Sequence, residues 1–490
     1  MINNNKFSVV SLFSGAGGFD WGFHKTDRFY THLACEKLPE PSATLAHNLK
    51  LEIIPSGEFT CVNGTPLLLQ GDIQLADFSQ AEFHPDVLIG GPPCQDFSIT
   101  ISKVGGGRPG LNGGRGKLYV EFVRAIMFFQ PKIFVFENVP GLISANEGAA
   151  FTTILSDLQN LEEQRKYVFE TDDRHKVPST EIKDYQIIFK EIVAAPKIGI
   201  AQTRERLIII GIRCDLFDAL SEEQKKEIVE QLNSSMSGEN SLLARFPMTC
   251  MEIFEGCTLL DLQAKYKEVM LAYKDLADDT QVPKAAEWRE KVWSKLALDD
   301  IRHDYFLANQ IEETPQNLSD FKLAMELHHK ILQELDWLGV PVHTLPTEGD
   351  STTKKPRQSK GVMERMNMIP PDENYEFVDD SPWKVKGHEI SFIYRRAAPL
   401  KPAWTVMAHG GGGTYGYHYE RDKAMLTLRE RARIQTFTDD FKFEAKKIRE
   451  QIGEAVPPLM AKRLAEQVIC ILETVAKNSS EFYAGVNNGY

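Results

Sequence analysis

The chain has 490 residues, of which 42% are hydrophobic and 26% charged, with a formal net charge of −13. That length exceeds what one hydrophobic core usually supports, so two domains or one heavily inserted domain are expected. The acidity excludes a uniformly basic nucleic-acid binder but not a local basic cleft, because phosphate binding depends on where charges sit. In chain order, the start MINNNKFSVVSLFSG has no basic segment followed by an apolar stretch and a cleavage site, so no signal peptide is expected. The seven cysteines (Cys35, Cys61, Cys94, Cys214, Cys250, Cys257 and Cys470) are scattered and odd in number, without CxxC pairing. That spacing argues against a disulfide framework or a zinc ribbon and predicts a reducing, cytoplasmic setting with no metal site.

Up to residue 214, short apolar runs alternate with helix-like stretches, the pattern of an α/β sheet. The runs are FSVVSLF (7–13), DVLIG (86–90), KIFVF (132–136), YQIIFKEIV (185–193) and RLIIIGI (206–212). The most apolar window, AIMFFQPKIFVF, is broken by Gln130, Pro131 and Lys132, which excludes a membrane span there. The first three runs end in SGAGG, GPPCQDFS and ENVPG, and in open α/β sheets ligands bind beyond the carboxyl ends of the strands. The last two runs are joined by a link containing Pro196 and Gly199, too short for a helical crossover, which predicts an antiparallel pair. A reversed strand begins where its parallel neighbours end, so QTRER (202–206) is expected beside the cysteine and glutamate of those loops.

From residue 215 the chain becomes charged and helix-favouring, as in SEEQKKEIVEQL, and then passes through the basic segment STTKKPRQSKGVMERM (351–366). After 388 it turns mixed again, with the glycine run HGGGGTYGYHY and a closing helix pattern from Pro458. The expected organisation is a core domain over 1–214, an inserted domain over 215–387 and a stretch over 388–490 that returns to the core.

Four constellations carry chemistry. Phe13 and the glycines Gly15, Gly17 and Gly18 form a turn that lets backbone approach a nucleotide-like ligand, although FSGAGG is not GxGxxG. Glu36 follows about 20 residues on, where an acidic side chain reaches ribose hydroxyls, and Asp72 in QGDI is placed to accept from an adenine amino group. No GKS/T follows, so a nucleoside cofactor without a triphosphate cradle fits better. Cys94 alone reads as an inert core thiol; framed by Pro92, Pro93, Gln95 and Ser98 on a ligand-binding rim, it reads as a nucleophile. Glu137 in FENVPG is a candidate proton donor or hydrogen-bond anchor. Arg204 and Arg206, two apart, share a face on a strand.

Taken together, these motifs resemble the C5-cytosine DNA methyltransferase family. The resemblance runs in order through LFSGAGGFDWG, Glu36, GDI, GGPPCQDFS, GLNGGRGKLY, FENVPGL, AQTRERLIIIG, LTLRERARIQTFTDDF and QIGEAVPP. It implies a Rossmann-like S-adenosylmethionine-dependent α/β fold, with the 215–387 insert as a smaller target recognition domain. It also implies S-adenosylmethionine as methyl donor and a cytosine flipped out of double-stranded DNA as acceptor. Cys94 would attack C6, Glu137 would serve N3, and Arg206 would face O2. Arg204 would support Arg206 through phosphate or carboxylate contacts.

Pro93, Leu118 and Glu454 match cofactor-lining positions, joining Phe13, Glu36 and Asp72. Two residues depart from the usual pattern: Glu454 stands where Asn is common, and Ala201 where proline is. The loop ITISKVGGGRPGLNGGRGKL (99–118) is expected to close over DNA, with Ser98 and Arg115 as contacts, and Lys354, Lys355, Arg357 and Lys360 to meet phosphates. A monomer is expected, with a separately acting restriction endonuclease as companion. The alternatives are an RNA-acting relative or a catalytically silent DNA-binding subunit, and the latter should have lost Cys94, Glu137 or the arginines.

Overall fold

The structure, a computed structural model, describes residues 6–58, 65–80, 83–93, 117–169, 178, 181–238, 241–385, 393–409, 413–414, 416–423, 425–444 and 446–487. Eight strands form one sheet: β1 (Phe7–Leu12), β2 (Phe29–Glu36), β3 (Glu52–Pro55), β4 (Leu67–Gln70), β5 (Val87–Gly90), β6 (Ile133–Asn138), β7 (Tyr185–Ala194) and β8 (Glu205–Arg213). Their order is β3-β4-β2-β1-β5-β6-β8-β7. Strands β1 to β6 are parallel, and β8 lies antiparallel between β6 and β7. β2, β4 and β3 lie to one side of β1, and β5 and β6 to the other. The crevice beyond the carboxyl ends of β1 and β5 is therefore the topological switch point, where this architecture binds ligands.

The five apolar runs are β1, β5, β6, β7 and β8, and the Pro196–Gly199 link does deliver an antiparallel pair. Three strands carry weaker signals. β3 is a four-residue edge strand with Glu52, Ile53 and Pro55 exposed, β4 is equally short, and β2 interleaves Thr31 and His32 with apolar residues. The long strands read as continuous apolar runs because both sheet faces are covered. Val9, Val87, Val135 and Ile208 pack to one side, and Val10, Leu88, Phe134 and Ile209 to the other, all fully buried. This is the two-residue alternation of a strand.

The helices that shape the site are α1 (Gly18–His24), α2 (Pro39–Leu49), α3 (Lys117–Phe129), α4 (Glu222–Ser237), α5 (Pro315–Glu334), α6 (Leu428–Ile434), α7 (Ile448–Glu454) and α8 (Pro458–Asn487). α1 and α8 cover one face of the sheet, and α3, through Phe122 and Ile126, covers the other. Ile228 and Leu232 of α4, and Met325 and Ile331 of α5, join the first of these cores. A smaller core gathers Tyr273, Trp288, Met366, Phe377 and Tyr417. The first core thus draws residues from the 1–214, 215–387 and 388–490 segments alike.

Helix α6 is held by buried charge. Thr427 and Glu430 form a capping box at its N-terminus, and Arg429, Arg431 and Arg433 are all buried. Arg429 donates to Asp350 Oδ2 (2.8 Å) and Thr352 Oγ1 (3.1 Å), Arg431 to the Met407 carbonyl (2.6 Å), and Arg433 to Asp439 and the Ile253 carbonyl (2.8 Å). A guanidinium tolerates burial only with such partners.

Candidate active site

A cavity of about 790 Å³ opens at the switch point. The turn after β1 supplies one wall: Phe13 and Gly15 take left-handed backbone (φ 55° and 56°), and the Gly15 amide donates to Glu36 Oε2 (2.8 Å). Glu36 ends β2, and its Oε1 accepts from the Leu38 amide (2.8 Å). Burial pushes the Glu36 pKa up against these two amide bonds, and the charge of Glu454 adds to the rise. Asp72, after β4, accepts from the Gln74 amide (3.1 Å) and pairs with Lys37 (3.0 Å). Pro93, Leu118 and Glu454 also line the cavity. Glu454 closes α7 and pairs with His409 Nε2 at 2.9 Å.

Gly17 and Gly18 do not line this cavity. Their missing side chains serve packing, since a Cβ would lie 2.4 Å from Leu45 Cδ1 at Gly17 and 2.4 Å from the Val456 carbonyl at Gly18. Behind the turn, Asp20 accepts from the Ser11 (2.9 Å) and Thr31 (3.2 Å) hydroxyls. Burial outweighs both bonds and pushes its pKa up to about 6.

The antiparallel register of β6 and β8 brings the end of one strand to the start of the other, Asn138 facing Leu207. Arg206 Nε accordingly meets Glu137 Oε1 at 2.7 Å, both side chains being mostly buried on the cavity wall. Arg204 lines the same cavity, but among the described residues it contacts no carboxylate at hydrogen-bond distance. It is fully buried and donates to the Gly453 (3.2 Å) and Ala455 (3.1 Å) carbonyls. Burial pushes its pKa down to about 9, Arg206 adding repulsion and Glu137 opposing it. The guanidinium thus holds backbone carbonyls on either side of Glu454, and the loop that carries them covers it.

Cys94, Ser98 and Arg115 lie outside the described residues, as does most of the 99–118 loop. Lys354, Lys355, Arg357 and Lys360 are exposed. Lys354 shares a second, polar cavity with His47, Lys442 and Glu444. His47 is in the last turn of α2, whose Pro41 lines the main cavity roughly 9 Å back along the helix.

Two contributions were missed in the sequence. The first is the glycine doublet before the double proline. A Cβ at Gly91 would lie 2.7 Å from Glu137 Oε2, and one at Gly90 would lie 2.8 Å from the Leu12 carbonyl. The second is Asn138, whose Nδ2 donates to the Pro92 carbonyl (3.1 Å) while its Oδ1 accepts from Val139 N (2.8 Å). This ties the strand carrying Glu137 to the backbone two residues ahead of Cys94. A doublet of glycines directly after a strand, and an amide directly after the candidate acid, were the signals available.

Comparison with known proteins agrees with this geometry. A family model described as C-5 cytosine-specific DNA methylase matches residues 7–470. The chain is 45% identical over 487 residues to the DNA (cytosine-5-)-methyltransferase M.ApeKI of Aeropyrum pernix, covering 96% of this chain and 100% of that one. It is 28% identical to the type II methyltransferase M.NgoFVII of Neisseria gonorrhoeae, covering 96% of this chain and 88% of the relative. In fold, it is similar to a crystal structure of an E. coli prophage protein described as a DNA modification methyltransferase, with a TM-score of 0.51 at 20% identity over 96% of this chain and 100% of that one. The chain belongs to the C-5 cytosine-specific DNA methylase family.

Proposed function

We propose that the chain methylates C5 of a cytosine flipped out of a specific sequence in double-stranded DNA, with Cys94 as nucleophile. One observation carries this reading beyond family membership: the Glu137–Arg206 pair stands on the wall of the cavity that Glu36 also faces, and Asn138 joins it to the backbone leading into Cys94. The cavity suits S-adenosylmethionine by its donor and acceptor set. Glu36 retains lone pairs for ribose hydroxyls, Asp72 stands at the adjacent strand end, and Phe13 and Leu118 supply apolar wall. When bound, the cofactor supplies an electrophilic methyl group.

The chain's own residues have to make a poor carbon nucleophile reactive. The Cys94 thiolate adds to C6, and the electron pair displaced from the C5–C6 bond becomes available at C5 for the methyl group. Glu137 donates a hydrogen bond or proton at N3, and Arg206 faces O2, so charge driven into the ring meets groups already in place. Arg204 acts through its carbonyl clamp as a positioning residue. Loss of the C5 proton then expels the thiolate and restores the aromatic base. Because C6 is inaccessible in a stacked duplex, the base must leave the helix, at a cost of a few kcal/mol.

The 215–387 segment is proposed to read the target, and Ser98, Arg115 and the basic segment to hold DNA. Monomeric action in the cytoplasm, beside a separately acting nuclease, completes the proposal. A target carrying 5-fluorocytosine tests the chemistry, since fluorine cannot leave as a proton does and the Cys94–C6 bond should persist. A denaturation-stable adduct, mapped to Cys94 and formed only with S-adenosylmethionine present, is the expected result. An adduct on another cysteine, or full methylation by Cys94→Ala, would refute it. The same transfer assay on duplex DNA and RNA separates the two substrates.

A further inference from the structure

We propose that Glu454 makes the cavity selective for the methyl donor over the spent cofactor, an inference that rests on reading the cavity as the S-adenosylmethionine site. The two ligands differ in charge at one atom. Transfer leaves the S–CH3 electron pair on sulfur, so a cationic sulfonium becomes a neutral thioether. A cavity with added negative charge binds the first more tightly than the second, and both carboxylates here are in place before any ligand arrives.

Glu36 is one, fixed by the Gly15 and Leu38 amides. Glu454 is the other, lining the same cavity and held by His409 at 2.9 Å. The backbone beneath Glu454 is equally fixed. Gly453 packs so closely on the 407–408 chain that a Cβ there would lie 2.4 Å from the Ala408 amide nitrogen, and Arg204 clamps the carbonyls on either side of Glu454. The two carboxylates also sense each other, since the Glu454 charge contributes to the raised Glu36 pKa. The asparagine usual at this position would supply hydrogen bonds without that charge. A half-exposed carboxylate is partly screened, so the selectivity it adds is modest, roughly fivefold.

Calorimetric titration of wild type and Glu454→Gln tests this with S-adenosylmethionine, S-adenosylhomocysteine and sinefungin, which carries a cationic amine in place of the sulfonium. The expected result is a roughly fivefold fall in the ratio of the S-adenosylhomocysteine Kd to the S-adenosylmethionine Kd in the variant. Sinefungin should follow the donor, and added salt should narrow the wild-type ratio. An unchanged ratio, or an equal loss for all three ligands, overturns the proposal. A wild-type protein that binds none of the three instead overturns the reading of the cavity as the cofactor site.

Discussion

The adjacent glycines Gly90 and Gly91 should give opposite phenotypes when each is replaced by alanine. At Gly91 the new methyl group would sit 2.7 Å from Glu137 Oε2 and 3.3 Å from the Glu137 carbonyl. The first contact is about 1 Å too short, but the atom it meets is the free end of a flexible side chain. The carboxylate can swing away at little cost to folding, but it then leaves Arg206 Nε, now at 2.7 Å. A displacement of that size at a reacting group costs on the order of 100-fold in rate. At Gly90 the methyl group would instead meet the Leu12 carbonyl at 2.8 Å and the Phe122 ring at 3.1 Å, and neither can retreat inside the sheet. Overpacking of that kind costs about 1–3 kcal/mol of stability. Methyl-transfer rates at saturating cofactor and DNA, read beside thermal unfolding, separate the two. Gly91→Ala should lose rate while keeping its Tm, and Gly90→Ala should lose Tm. A Gly91→Ala enzyme within threefold of wild-type rate would refute the claim that this glycine makes room for Glu137.

Two further outcomes follow from charge. Asp20 binds its proton more tightly folded than unfolded, its pKa rising from 3.8 to about 6, so its contribution to stability is greatest below pH 3.8 and is lost as pH rises to 6. The loss is about 3 kcal/mol, and Asp20→Asn, whose amide can still meet the Ser11 and Thr31 hydroxyls, should remove it; a variant with the wild-type pH dependence of denaturant midpoint between 4 and 6 would contradict this. Replacing Lys354, Lys355, Arg357 and Lys360 together with alanine should flatten the log–log salt dependence of DNA binding without changing S-adenosylmethionine affinity. An unaltered slope in the fourfold variant would make the segment a linker.

What the sequence revealed, and what it hid, divides along physical lines. Strands buried on both faces announce themselves as unbroken apolar runs, so β1, β5, β6, β7 and β8 were legible, and the short Pro196–Gly199 link dictated the reversal that brings Arg206 to Glu137. β3 and β4 were not legible, because four residues are too few to establish a period. The candidate residues were legible as chemical types at strand ends, but their partners were not. Nothing in QTRER says that Arg204 will point at carbonyls about 250 residues further along the chain, because that contact depends on how the C-terminal segment docks. Negative space was the hardest to read. Gly91 matters for an atom it lacks, and only the position of Glu137 shows why.

Hydrogen bonds from buried side chains explain how motifs so far apart in sequence make one rigid wall. Gln202 donates to the Ile434 carbonyl (3.1 Å) and Gln435 Oε1 (2.8 Å) and accepts from the Val406 amide (3.0 Å). Gln435 in turn reaches the Ala455 carbonyl, which Arg204 also holds, and Arg431 secures Met407. Four segments, at 202–204, 406–407, 431–435 and 453–455, are thus cross-linked by direct hydrogen bonds. Each bond satisfies a polar group that would cost about 1–3 kcal/mol if left buried and unpaired, so the segments cannot shift singly. Electrostatic catalysis needs such a frame, because donors that must reorganise during the reaction lose much of their advantage. Arg206 stands two residues beyond the clamp on Arg204, on a strand anchored at both flanks by β6 and β7. Its guanidinium is therefore held facing Glu137 before any base arrives.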